Sequence, residues 1–446
     1  MDTLKRLLVV GAMVGLMQAV LSFGHSGDER SESAAIVLGL GFVLITSLFA
    51  GALCAQVGLP KLTGYLATGI AAGPAALGFL DAHMLDGLKL VDGVAIGLIA
   101  LTGGSEMSFR AMRPLLRSVA TISGIAVLGT TVALALTVYG IRDLLPFLEG
   151  LATPAQLAVA GTLAIVVVAQ SPAVVIAIRA ETGADGPVAR TVLGVVVLAD
   201  LLVIALFAVV SSVATSLIAG TGSAGAVALQ VSWELFGSVG VGALIGALLA
   251  LYMRLVGKAG LDLFVLTVCL VSAEVGRRVH LDPLIAMLSA GMFVENAMQR
   301  GALLRSSFEA ASLPVYILFF TVAGASIHLD ALPQVALPVA VLVAVRSGGL
   351  VAGTRAAARL AGAPPAVARW AGVGLLPQAG LAIALSQLFV RTFPSFGAAA
   401  GALTLSIVAV NELVAPALLR FAFVQAGEAV EARPSGAPAT DGAAPG

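Results

Sequence analysis

Charged residues are scarce in this chain of 446 residues. Asp, Glu, Lys and Arg make up only 11% of it, whereas soluble domains carry about 25%. Hydrophobic residues make up 59%, and the mean hydropathy is +1.06. This composition excludes an ordinary soluble domain and indicates a polytopic membrane protein. The 24 basic and 24 acidic residues cancel, so nucleic-acid binding has no electrostatic support.

Histidine and cysteine are also rare. The two cysteines, Cys54 and Cys269, fall in separate apolar runs, where they indicate packing rather than a disulfide or a metal motif. The four histidines lie far apart, in predicted loops: His25, His83, His280 and His328. We therefore predict neither a metal centre nor a cofactor. No nucleophile–base pair lies in the apolar runs, which disfavours an enzyme.

Long apolar runs fill most of the chain. The run from Leu7 to Phe23, behind Lys5 and Arg6, fits either an extra spanning helix or a signal peptide. Thirteen runs follow and predict about thirteen transmembrane helices. They span 34–54, 63–80, 88–107, 117–139, 155–178, 188–214, 230–253, 262–276, 283–298, 312–327, 333–354, 366–390 and 398–420. We expect an all-α polytopic membrane protein.

One acid lies in the middle of the run from Thr191 to Phe207, and it is Asp200. No other charge occurs between Arg190 and Glu234. An ionised carboxylate at mid-bilayer costs at least ~2.5–3.5 kcal/mol, so such a residue faces protein or water and has a function. We predict that Asp200 is part of an ion site.

Two apolar runs are interrupted. Gln170-Ser171-Pro172 breaks the run that precedes the Asp200 helix, and the stretch from Gly374 to Gly380, with Pro377 inside it, breaks a later run. Proline frees backbone groups that hydrocarbon cannot solvate, so each break should line a polar cavity. The helix after the second break carries Glu412, as the helix after the first carries Asp200.

Thirteen helices divide into six, one linker and six, which makes the second half inverted relative to the first. Inverted repeats with broken helices at matching places are the architecture of many secondary transporters. We therefore predict two inverted six-helix repeats whose broken helices cross. Most Lys and Arg residues fall on the side of Lys5 and Arg6, which places that side and the C-terminus in the cytoplasm.

Four motifs now resemble those of the monovalent cation–proton antiporters. They are Gly64–Pro74, Gly97–Glu106, Leu375–Ala382 and Asn411–Pro416. They occur in the family's order, and the resemblance covers about residues 34–421. It is closest to the branch that holds sodium– and potassium–proton exchangers, including antiporters of the potassium-efflux type.

The resemblance implies a homodimer of two-part protomers. Its panel of helices forms the dimer contact, and its core carries the crossing broken helices and moves against the panel. The implied parts are an N-terminal helix or signal peptide with its loop (1–33), a panel (34–109 and 262–328), a transport core (117–214 and 333–421), a linker helix (230–256) and a disordered cytoplasmic tail (422–446).

The family's ion-binding carboxylate falls on Asp200, which would hold a monovalent metal cation or a proton in turn. Family members have a polar residue just before it, whereas this chain has Ala199. A single acid predicts one-for-one, electroneutral exchange. The basic residue that the family often carries corresponds to Arg346, which we expect to be a fixed counter-charge because guanidinium keeps its proton. The competing interpretation is a structural ion bridge between Arg346 and Asp200.

Further ligands are expected at the breaks. Gln170, Ser171 and Gln378 offer oxygen atoms, and unwound carbonyls at the half-helix ends offer partial negative charge. Glu412 is either a member of the site or a partner for the crossing helices. The polar residues at the breaks have a simpler interpretation as caps for freed backbone groups.

Three functions remain open at this point. The first is exchange of Na⁺ or K⁺ for H⁺ by alternating access, in a bacterial inner (plasma) membrane. The second is an uncoupled, channel-like cation pathway, although no carbonyl-lined filter sequence is visible. The third is a non-transporting sensor or scaffold on a transporter fold, which Ala199 keeps open. The sequence does not distinguish Na⁺ from K⁺.

Overall fold

The computed structural model describes residues 6, 10–15, 17–18, 29–219, 233–279, 281–325, 332–378, 380–393 and 395–429, and these contain helices and no strand. The helices of the first half are α1 (Glu29–Gln56), α2 (Lys61–Ala72), α3 (Ala82–Glu106), α4 (Phe109–Met112), α5 (Leu116–Ile122), α6 (Leu128–Gly140), α7 (Thr153–Val168), α8 (Pro172–Thr182) and α9 (Pro187–Ala219). Those that follow are α10 (Ser238–Leu255), α11 (Leu261–Val279), α12 (Pro283–Met298), α13 (Gly301–Ala325), α14 (Leu332–Leu360), α15 (Pro365–Gly374), α16 (Gly380–Thr392) and α17 (Gly397–Gln425).

Within the described ranges, seven helical stretches are long and apolar enough to cross a membrane. They are Val37–Gln56, Arg113–Gly140, Thr153–Thr182, Pro187–Thr215, Ser238–Leu255, Val335–Leu360 and Ala399–Gln425. The second of these joins α5 to α6 through a π-helical turn, Ser123–Val127. Each of the thirteen predicted runs contains at least one helix. The count of thirteen crossings stays a prediction, because several helices are shorter than a full span.

The second predicted run, 63–80, is longer than the helix it contains. Helix α2 ends at Ala72, and Gly73 is extended, with ψ of 173°. The next residue is Pro74, and the residue before a proline is disfavoured in helical conformation. The chain then turns through Gly78, which has φ of +65°. Composition alone did not separate this apolar turn from the helix.

The described helices pack into two groups. The panel group contains α1, α2, α3, α10, α11, α12 and α13, and the core group contains α5 to α9 and α14 to α17. They meet where α2 and α3 of the panel group contact α8 and α17 of the core group. These groups contain the segments predicted as panel and core, with the linker helix α10 packed on α12. Their roles in dimerisation and transport stay predictions.

Glycines of the first two family motifs lie where panel helices touch. A Cβ on Gly69 would collide with the carbonyl oxygen of Thr321 on α13, and one on Gly104 would collide with that of Leu288 on α12. Only glycine permits such a close approach of backbones, which is how small residues tighten helix pairs in membranes. These motifs are therefore packing contacts of the panel group.

Two polar contacts cross from the core group to the panel group at one end. The Glu181 carboxylate, on the last turn of α8, accepts from the backbone N–H of Lys61 at 2.9 and 3.1 Å. Helix α2 has Pro60 before it and no side-chain cap of its own, so Glu181 supplies the missing acceptor. Arg420, on α17, donates to the carbonyl oxygen of Gly58.

The predicted C-terminal tail begins too early. Helix α17 continues through residue 422 to Gln425, and the turn after it carries Glu428. The Glu428 carboxylate accepts from the N–H groups of Val188 (2.7 Å) and Ala189 (2.8 Å), at the first turn of α9. An acid at a helix N-terminus is stabilising, so Glu428 is held in place there. Because the helix and this contact extend beyond residue 422, the predicted start of the tail at 422 is wrong. Residues 430–446 of that tail lie outside the described residues.

The described part of the N-terminal run, residues 10–15 and 17–18, is helical. Met17 is buried in a cluster with Phe42 and Leu80 of the panel group. Arg6 donates to the carbonyl oxygen of Ala52 at 2.9 Å. These contacts attach the segment to α1, and the choice between a helix and a signal peptide stays open.

Candidate functional site

The first predicted break is present. Helix α7 ends at Val168 and α8 begins at Pro172, with extended backbone at Ala169 and Ser171 between them. The Ser171 hydroxyl accepts from the N–H of Val174 at 3.3 Å, so this serine is the N-cap of α8. Pro172 follows at the first helical position, where its missing N–H has no cost. The proposed role of Ser171 as an ion ligand stays a prediction.

The second predicted break is also present. Helix α15 ends at Gly374 and α16 begins at Gly380. Pro377 lies between them and has no N–H to continue the ladder. The carbonyls of Gly372 and Val373 in the last turn of α15 accept from the N–H groups of Leu375 and Leu376, whereas the carbonyl of Leu376, beyond the helix end, needs a donor from elsewhere.

Arg346 donates to backbone carbonyls at both breaks. It lies on α14, its side chain is 0% exposed, and it donates three hydrogen bonds to carbonyl oxygens. Nε donates to Val167 at 2.8 Å, Nη2 to Ala169 at 2.9 Å and Nη1 to Leu376 at 2.8 Å. One guanidinium thus joins the C-terminal end of α7 to the C-terminal end of α15.

The charge of Arg346 fits this position. A helix C-terminus carries roughly half a negative charge, so two such ends sum to about one. A single guanidinium neutralises both, and its planar fork suits separate carbonyl acceptors. In the described part of the chain no ion pair joins Arg346 to Asp200, so the alternative of a structural bridge between them is not found.

Gln378 is held on both sides of its amide. Its Nε2 donates to the carbonyls of Val166 (3.3 Å) and Val167 (3.1 Å), and its Oε1 accepts from Nδ2 of Asn411 at 2.9 Å. The carbonyls of Val166, Val167, Ala169 and Leu376 therefore all accept hydrogen bonds from side chains. A carbonyl oxygen has two lone pairs, so the expectation that unwound carbonyls also contact the cation stays a prediction.

Three other predicted residues keep polar atoms without a partner among the described residues. They are Asp200 (Oδ1), Gln170 (Oε1 and Nε2) and Glu412 (both carboxylate oxygens). All three side chains are buried, at 4%, 0% and 1% exposure. A buried polar atom with no partner costs ~1–3 kcal/mol, more when charged. These atoms are therefore the ones available to an ion, a proton or water.

Asp200 lies at the crossing of these elements. Its helix, α9, packs against α7 and α8 on either side of the first break and against α15 and α16 on either side of the second. The structure thus brings Arg346, Gln378 and the first break into direct contact. It places Asp200 on the adjoining helix without a hydrogen bond to them.

A polar cavity of about 390 Å³ opens between the two groups, at the end of α8. Its charged lining residues are Arg179, Asp185 and Glu295. Asp185 binds Arg190 through two bonds of 2.8 and 2.9 Å and Arg179 at 3.1 Å. The hydrogen bond from Arg190 is the main reason that the pKa of Asp185 lies below its ordinary value. The carboxylate therefore stays ionised at neutral pH.

The sequence matches the model of a known protein family over most of its length. The model of the transmembrane sodium/hydrogen exchanger family matches residues 43–424. The chain belongs to the sodium/hydrogen exchanger family. This exchanger is therefore a multi-pass integral membrane protein, and its family consists of transporters and not of enzymes. The predicted resemblance to monovalent cation–proton antiporters is confirmed.

Solved structures show the same fold. This exchanger is similar to the sodium proton antiporter MjNhaP1 from Methanocaldococcus jannaschii at pH 8, with 14% identity, 88% of this chain and 99% of the other covered, and a TM-score of 0.65. An electron-microscopy structure of the same antiporter gives 15% identity, coverage of 87% and 97%, and a TM-score of 0.68. The predicted all-α transporter fold is confirmed. No match was found among curated protein sequences.

One residue of the exchanger's network was not predicted. Asn411 directly precedes Glu412 and opens the last of the four motifs. Its amide is the donor that holds Gln378. The available signal was its position in an apolar helix, where an uncharged polar side chain needs a partner.

Proposed function

We propose that this exchanger moves a monovalent cation, Na⁺ or K⁺, against H⁺ by alternating access, with both ions competing for Asp200. The observation that carries the proposal is the buried Asp200 carboxylate, unpaired by any described cation, on the helix that packs against both breaks. An empty, ionised carboxylate is costly in a low-dielectric site, and binding either ion neutralises it. Competition for one acid is sufficient for exchange.

Gln170 is the strongest candidate for a second ligand. Its buried amide has no described partner, whereas the Gln378 amide uses both N–H donors and one lone pair of its oxygen. Amide and carboxylate oxygens suit hard cations. The Ser171 hydroxyl oxygen uses one lone pair in its cap bond and has a second one available. Both carboxylate oxygens of Glu412 have no hydrogen-bond partner among the described residues. We propose that Asp200, Gln170 and Ser171 contact the cation, and that Gln378 and Arg346 hold the breaks in place.

The proposed exchange is electroneutral. The residue before Asp200 is Ala199, so no second acid adds charge at that point. Arg346 binds backbone carbonyls and keeps its proton, so it contributes a constant charge in every state. One cation then replaces one proton with no net charge moved.

The experiment uses the purified protein in proteoliposomes that contain a pH-sensitive dye. Adding Na⁺ or K⁺ outside should change the internal pH, and the cation that gives the larger response identifies the substrate. A current recorded on a solid-supported membrane should be absent under the same gradients. A cation-dependent pH change with a proportional current would contradict electroneutrality, and no pH change with either cation would contradict exchange.

The protein's surroundings follow from the same reasoning. We propose that it is a homodimer in a bacterial inner membrane with a cytoplasmic C-terminus, so that the cavity beside Arg179 and Asp185 faces the cytoplasm. The excess of Lys and Arg on that side supports the orientation. The polar lining of this cavity suits a hydrated cation approaching the site.

A further inference from the structure

Asn411 joins the last helix of the chain to the second break. It lies on α17 with 5% of its side chain exposed. Its Nδ2 donates to the carbonyl of Ile407, one turn earlier, at 3.0 Å and to Oε1 of Gln378 at 2.9 Å. A side-chain amide has two N–H donors, so both are used.

The contacts run from Ile407 through Asn411 and Gln378 to Val166 and Val167, and the backbone carbonyls at the two ends determine which group donates in each hydrogen bond. At one end the partner is the Ile407 carbonyl, and at the other the partners are the Val166 and Val167 carbonyls. Carbonyls only accept, so both amides must present NH₂ to these ends and meet as NH₂ to oxygen. Turning the Gln378 amide over would direct its oxygen at two carbonyls and lose three hydrogen bonds.

The chain of contacts ends on the atoms that Arg346 holds. The carbonyl of Val167 accepts from Gln378 at 3.1 Å and from Arg346 Nε at 2.8 Å. Asn411 on α17 therefore binds Gln378 in the second break, and Gln378 binds the end of α7 at the first break. Through these bonds Asn411 connects α17 to both breaks. None of the three described bonds of the guanidinium goes to Gln378 or Asn411, so Arg346 does not fix the orientation of the Gln378 amide.

We propose that Asn411 is a positioning residue for ion exchange: it fixes the orientation of the Gln378 amide and thereby holds the two breaks in register beside Asp200. This inference rests on the exchange function proposed above. Loss of the Asn411 donor leaves Gln378 free to rotate, which lets the first break shift relative to Asp200. Cation affinity should suffer first, because it depends on ligand distances more steeply than the fold does.

The chain offers a matched control. Asn296 in the panel group also donates from Nδ2 to the carbonyl one turn earlier, Met292, at 2.7 Å, and to a second carbonyl, Met107, at 2.9 Å. It has the same chemistry and the same local bond, but it belongs to α12, away from both breaks. A merely structural role for Asn411 predicts the same effect as at Asn296.

The experiment compares Asn411→Ala, Gln378→Ala, the double variant and Asn296→Ala in proteoliposomes. The apparent KM for Na⁺ or K⁺ and the maximal rate are measured, with thermal unfolding in detergent recorded in parallel. We expect Asn411→Ala and Gln378→Ala each to raise KM by about tenfold, and the double variant by no more than either single change. Asn296→Ala should lower the unfolding temperature and leave KM unchanged.

A swap of the two amides tests the bond directly. The double variant Asn411→Gln with Gln378→Asn keeps both amides and the same total side-chain length, so it should recover part of the lost affinity. The same swap variant tests the Asn411–Gln378 bond if the Asn411→Ala protein fails to fold. Two results would overturn the inference while leaving exchange intact. One is a double alanine variant whose rise in KM is the product of the two single rises. The other is an Asn411→Ala variant that, like Asn296→Ala, loses stability without a change in KM. A wild-type protein without any cation-driven pH change would overturn both.

Discussion

Replacement of Asp200 by Asn is expected to abolish cation-driven proton movement and to leave the fold intact. Asparagine has nearly the same shape but carries no charge and no acidic proton, so it can neither attract a bare cation nor release H⁺. Asp200 Oδ1 has no hydrogen-bond partner among the described residues that the change would remove. Burying a neutral amide costs less than burying a carboxylate, so the unfolding temperature should stay or rise. Dye-loaded proteoliposomes report transport, and thermal unfolding reports the fold.

A matched control makes the Asp200→Asn result specific. Asp262→Asn removes the same charge from an exposed acid on α11, in the panel group. It should transport at the wild-type rate. If Asp200→Asn still exchanged Na⁺ or K⁺ for H⁺ at a comparable rate, Asp200 would not be the shared binding group. The site would then have to be sought at Glu412, the other buried acid with free oxygens.

Replacement of Arg346 by Leu is expected to cost the largest amount of stability of any single change at the site. The change leaves the carbonyls of Ala169 and Leu376 buried without their donor, at ~1–3 kcal/mol each. It also leaves two helix C-termini with their negative ends uncompensated. We expect a loss on the order of 4 kcal/mol in the free energy of unfolding, measured by denaturant titration in detergent.

Two further variants separate charge from shape at this position. Arg346→Lys keeps the charge but cannot reach three carbonyls from one planar fork, so its stability should be intermediate. Arg369→Leu removes an exposed arginine that stacks on Trp370, and it should change stability little. An Arg346→Leu protein as stable as wild type would show that the helix ends do not need the guanidinium.

The sequence was sufficient for the features that depend on local composition. Apolar runs gave the helices, and proline with polar neighbours gave both breaks. The lone acid in a long apolar run identified Asp200 as a buried group, and it is buried. These features depend on residues within one helix length, because the free-energy cost of placing a polar group in lipid determines whether that group is buried in protein.

The hydrogen-bond partners of the buried polar residues could not be predicted from the sequence. Arg346 binds carbonyls 177 and 179 positions earlier in the chain, and backbone carbonyls carry no sequence signal. The amide oxygen of Gln378 accepts from Asn411, 33 positions later in the chain, and no local sequence pattern indicates that contact. Which atom faces which depends on how α14, α15 and α17 pack. That packing is fixed by side-chain shape over the whole core group.

The bond between Glu181 and the start of α2 has a consequence for speed. If the core group slides past the panel group during each cycle, the carboxylate must leave the N–H of Lys61, and water must take its place at an otherwise uncapped helix end. This detachment recurs on every turnover and involves no transported ion. The waiting time between access states can therefore be lengthened or shortened by evolution at one acidic residue, with ion selectivity untouched.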